Sequence, residues 1–145
     1  MSPVVRTLIR IACLPVFAWL IFVGYGQALR ILSVAISTSP GSARTQVYAS
    51  LLAQGFLSAA LIALLFSYPL AFVYRHNAFV VALFMTLPVL WFRLPEVMDA
   101  SRNPVATAIS AYELAAFVLL LVAGAALAHR RLSRLRERRD SAASE

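Results

Sequence analysis

The sequence predicts an all-α membrane protein: four transmembrane helices, both termini cytoplasmic (N-in/C-in), and a basic C-terminal helix extension on the cytoplasmic side. Three observations predict it. The first is composition. The chain is 61% hydrophobic and 13% charged, with a mean hydropathy of +0.81, whereas a soluble domain is usually about one-quarter charged. So few polar side chains cannot cover a water-facing surface. The second is the spacing of charge-free runs. Residues 11–29, 45–74 and 77–92 carry no charge, and 103–129 are interrupted only by Glu113. Crossing the hydrocarbon core takes about 20 apolar residues. The third run is short, about 24 Å at the helical rise, and the flanking Arg75 and Arg93 extend it by snorkelling.

The third observation is the placement of the arginines, which make up all 13 basic residues. Positive charge accumulates on the cytoplasmic side. Placing the basic tail inside also puts Arg6, Arg10 and Arg75 there, nine arginines in all. Arg30, Arg44, Arg93 and Arg102 fall outside, four in all, with Glu96 and Asp99 offsetting two of them. The expected location is the bacterial inner (cytoplasmic) membrane, as a multi-pass protein.

Each element has local signals. Helix one is expected over residues 8–29, behind the basic start "MSPVVRTLIR". The "GQA" at 26–28 resembles a signal-peptidase site, yet a retained helix is expected. The turn dipeptide Pro40-Gly41 precedes helix two (46–74), with Thr45 as its N-cap. A tight polar hairpin, Arg75-His76-Asn77, leads into helix three (77–92). Leu94, Val97 and Met98 then recur at i, i+3, i+4, the pattern of a short helix lying in the interface. Asn103-Pro104 has the form of an N-cap followed by proline at the first helical position, and opens helix four (104–129). Pro15, Pro69 and Pro88 sit inside helices and are expected to kink them. The basic segment 130–139 continues helix four, residues 1–139 form one domain, and 140–145 are expected to be disordered. "LPVFAW" at Leu14 and "LPVLWF" at Leu87 share too little to establish a repeat.

Polar residues inside the apolar runs are the candidate functional groups. Glu113 lies about 13 Å into helix four. Arg93, Arg30, Gln54 and Gln27 fall at similar depth on the other helices. A charge in hydrocarbon costs at least about 2.5 kcal/mol and normally finds a partner inside the bundle. Arg93 is the first choice of partner, because helices three and four share a short loop; Arg30 is the second, and the two glutamines can donate as well. Gly55, Ala59, Ala63 and Ser67 form a small-residue stripe at i+4 spacing, which lets helix backbones approach closely in lipid. Gly124 and Ala128 repeat that spacing on helix four. Arg130, Arg131, Arg134, Arg136, Arg138 and Arg139 suit anionic lipid or an acidic partner.

Several classes find no support. Cys13 is alone, so neither an intramolecular disulfide nor a cysteine metal site can form, and its apolar setting suppresses the thiolate. His76 and His129 sit at the boundary rather than facing each other within the bundle, as haem ligation would need. No P-loop, nucleophile elbow or metal-ligand spacing is present, and no groove-reading module accompanies the arginines, so neither a cofactor nor nucleic acid is expected. The expectation is a non-enzymatic accessory or assembly subunit of a larger membrane complex, with other integral membrane proteins as partners. The alternative is a small oligomeric transporter or channel with Glu113 as its ion- or proton-coupling residue.

Overall fold

The computed structural model describes residues 3–35, 44–74, 77–99 and 103–142, with the side chains of residues 3, 6, 34–35 and 136–142 set aside. It contains four α-helices: α1 (Pro3–Ala35), α2 (Arg44–Tyr74), α3 (Ala78–Met98) and α4 (Pro104–Ala142). All four are long and apolar enough to cross a membrane, the make-up of a multi-pass membrane protein.

The helices run longer than the charge-free runs. α3 continues past Arg93 and through Pro95 to Met98, so Leu94, Val97 and Met98 form its last turns rather than a separate interfacial helix. Pro95 removes one backbone bond close to the helix end, where the loss is small, and Arg93 spans Pro95 by pairing with Glu96 one turn on. α4 likewise extends beyond 129, through the arginines to Ala142. Of residues 140–145, the described 140–142 belong to this helix. Residues 130–142 hold six arginines and two leucines, which favour helix, contain no Gly or Pro, and add turns to an existing helix without a new nucleus. At the other end of α4, the Asn103 side chain accepts from Val105 N at 3.0 Å and its carbonyl from Thr107 N at 3.1 Å, so the Asn103-Pro104 start is a working cap. The α2 helix begins at Arg44, which puts Thr45 inside it. The Pro40-Gly41 turn, Arg75, His76 and Arg102 lie outside the described residues.

α2 and α4 make the most extensive contact, α3 packs on α4, and α1 lies against α2 and α3. The core is built from one strip of each helix. Ile21, Tyr25 and Ala28 come from α1, Ala59, Ile62 and Leu70 from α2, Ala82, Met85 and Val89 from α3, and Phe117, Leu121 and Ala125 from α4. Tyr25 stacks on Phe117 with ring centroids 4.4 Å apart. Phe17 meets Phe66 and Tyr74 edge-on, and the Tyr74 hydroxyl donates to the Arg10 carbonyl at 2.9 Å, which ties the start of α1 to the end of α2. Near that end, Ala71, Ala78 and Ala128 let three helices converge. The lipid-facing surface is as apolar as the core: Leu64 is 76% exposed, Leu119 68% and Trp91 81%.

Candidate functional site: the carboxylate seat at one end of the bundle

The small-residue stripe of α2 is spent inside the chain. Gly55, Ala59, Ala63 and Ser67 are all buried. At Gly55 a Cβ would overlap the Glu113 Cγ and lie 3.1 Å from its Cδ. Only glycine leaves room for the carboxylate arm to fold across α2. About three turns further along, a Cβ on Gly124 would collide with the Ser67 hydroxyl. The Ser67 Oγ in turn donates to the Ala63 carbonyl. The stripe is thus the α2–α4 crossing itself, with Gly55 seating Glu113 and Gly124 admitting Ser67.

Glu113 is 8% exposed and reaches from α4 to α3. Arg93 Nη2 donates to Glu113 Oε2 at 2.7 Å, and Arg93 Nη1 donates to Glu96 Oε2 at 2.8 Å. One guanidinium therefore joins two carboxylates, one sunk in the bundle and one at its rim. The side chains of Arg93 and Glu96 are 30% and 36% exposed. The partner is the one that helix adjacency favours. The other expected members of the cluster do not join it. Gln54 donates to the Leu29 carbonyl at 2.8 Å, pinning α2 to α1. Arg30 and Gln27 are exposed; Gln27 lines a cleft between α1 and α3, while Arg30 stays outside the Glu113 cluster.

Two residues enter the site that the sequence did not single out. Glu96 could have been found, since it lies at i+3 from Arg93 on a helix, but helix three was expected to end at 92, with a separate interfacial helix beyond it. Tyr25 could not, because nothing marks one tyrosine in an apolar helix as facing a carboxylate two helices away. Its side chain is 3% exposed and its hydroxyl is buried without a hydrogen-bond partner. The other buried hydroxyls among the described residues have partners: Ser58 Oγ donates to the Gln54 carbonyl and Thr86 Oγ1 to the Leu83 carbonyl within their own helices, and Tyr74 donates across to α1.

Among the described residues, no three His, Cys, Asp or Glu side chains converge as metal ligands would. Cys13 is a partly buried free thiol. In the basic extension Arg130, Arg131 and Arg134 are exposed, while the side chains of Arg136, Arg138 and Arg139 lie outside the described residues. A second surface feature is an apolar groove of about 1010 Å³ between α1 and α3, walled by Trp19, Phe84 and Trp91 among others. Comparison with protein-family models, with curated proteins and with solved structures gives no match.

Proposed function

We propose that this protein is a non-enzymatic accessory or assembly subunit of a larger complex in a bacterial inner membrane. Both termini face the cytoplasm, and the arginines of the α4 extension hold anionic lipid or an acidic surface of a partner there. The observation that carries the proposal is the groove between α1 and α3. Trp19 and Trp91 stand 66% and 81% exposed on its walls, and its about 1010 Å³ admits the side chains of a further helix. A concave apolar surface rimmed by tryptophans gives a further helix closer packing than a flat lipid-facing surface does. α1 supports the same reading, since it buries only a narrow strip on its own chain and leaves the rest of its length open.

The alternative is a small oligomeric transporter or channel in which Glu113 couples to an ion or proton. The sharing of one guanidinium between Glu113 and Glu96 favours it, since two carboxylates then face one cation. Isolation from native membranes in mild detergent separates the two. Foreign subunits at fixed stoichiometry, released by Trp91→Ala and retained by Glu113→Gln, are expected. A homo-oligomer with no foreign subunit would instead support the transporter.

A further inference from the structure

The end of the bundle that holds Glu113 also holds a second cleft, of about 510 Å³, between α1 and α3. Its size and mostly apolar walls are those of a small-molecule site rather than a bare-ion cage. Its polar contributors are Tyr25, Gln27, Arg93 and Glu96. Among the described residues, the ion pairs beside it share a single cation. α3 supplies Arg93 and Glu96, α4 supplies Glu113, and α2 offers Gly55 and an amide, Gln54, already committed to the Leu29 carbonyl. α1 lines the cleft with no charged residue. One guanidinium thus answers two carboxylates. Of the two acids, Glu96 is the one that lines the cleft and stays partly exposed there, within reach of a further cation.

The second, independent observation is Tyr25. Tyr25 lines the cleft, and its hydroxyl is buried with no partner. Buried hydroxyls are rarely left unpaired, and hydrocarbon offers no water to pair them. A group that completes this site must bring positive charge and hydrogen-bond donors, and must fit among Phe22, Phe92 and the Tyr25 ring. A primary ammonium does all three. It carries three donors and no acceptor, matching the Glu96 carboxylate, the Gln27 amide oxygen and the Tyr25 hydroxyl, and aromatic faces attract it further.

We infer that this cleft binds a primary ammonium group borne by an apolar molecule, namely the ethanolamine head of a membrane phospholipid. The test reconstitutes the full chain in nanodiscs of phosphatidylethanolamine, phosphatidylcholine and phosphatidylglycerol in equal parts. The lipid retained after transfer to detergent is then measured by mass spectrometry. The wild-type protein retains ethanolamine lipid above its bulk share, whereas choline lipid, whose quaternary head has no N–H to donate, is not enriched. Glu96→Gln lowers the ratio of retained ethanolamine lipid to choline lipid about tenfold, the worth of one charge-assisted hydrogen bond. Tyr25→Phe lowers it less. Both variants keep the Arg93–Glu113 pair, so a circular dichroism spectrum and melting curve show that the bundle persists. A second arm adds free ethanolamine in choline-lipid discs. Stabilisation there, without lipid enrichment, keeps the ammonium site and assigns it to a soluble amine. Equal retention of the two lipids with no effect of free ethanolamine overturns the inference, as does enrichment unchanged by Glu96→Gln.

Discussion

Removing Arg93 should cost more than neutralising either carboxylate it holds. In Arg93→Ala, Glu113 stays 8% exposed, folded against Gly55 with no counter-charge. Breaking a buried ion pair from one side costs about 3–5 kcal/mol. The Arg93 side chain is 30% exposed and Glu113 10%, so water screens part of the pair and the lower end applies: about 3 kcal/mol, or roughly a hundredfold in the folding equilibrium. Glu113→Gln keeps an acceptor for Arg93 and trades a charge-assisted bond for an ordinary one, about 1 kcal/mol. Glu96→Gln touches only the rim and should cost about 0.5 kcal/mol. Glu113→Leu does not strand the arginine, because Glu96 still holds it 2.8 Å away. Its cost comes from forcing a branched side chain against Gly55, about 1–3 kcal/mol. Reversible unfolding in mixed micelles measures all four. The double variant Arg93→Ala/Glu113→Gln should be more stable than Arg93→Ala alone, because no buried charge is left behind. An Arg93→Ala variant no less stable than Glu96→Gln, or a double variant with no recovery, would refute the account of Glu113 as a buried charge held by Arg93.

Three further outcomes are expected. Gly55→Ala should destabilise by about 1–3 kcal/mol through overlap with the Glu113 arm, whereas Gly26→Ala, with nothing within 4 Å of the added carbon, should be neutral or stabilise by up to about 1 kcal/mol; equal melting shifts for the two would contradict the seat. Gly124→Ala should be harmful in the wild type and nearly harmless in a Ser67→Ala background, since the colliding atom is the Ser67 hydroxyl oxygen; purely additive melting shifts would place the obstruction elsewhere. With Cys13 replaced, single cysteines in the 37–44 loop should label from the periplasmic side and cysteines in the 130–139 segment only after the membrane is opened; tail labelling in intact cells would reverse the proposed orientation.

The sequence by itself determined the number of helices and their order. Spanning length and scarcity of charge are one-dimensional properties: residues 11–29, 45–74 and 103–129 are long enough outright, the last with Glu113 as its one charge, and 77–92 reaches the length with its flanking arginines. It also determined the start of α4, because a cap is made by residues two and four apart in the chain. The Glu113–Arg93 partnership was legible for a related reason: a short connection makes α3 and α4 neighbours, and a carboxylate in hydrocarbon needs a cation within reach. Tertiary structure decided which side of each helix faces inward. In a soluble protein the apolar stripe announces that face. Here lipid is as apolar as the core, so Leu64 on the surface and Leu70 in the centre are written alike. Only three-dimensional packing could show that Gly55 makes room for a glutamate on another helix, that Gln54 serves a carbonyl of α1 instead of that glutamate, and that Glu96 shares Arg93. It alone could also leave the Tyr25 hydroxyl beside them without a partner. Each of these depends on helix rotation and side-chain reach, which hydropathy does not encode.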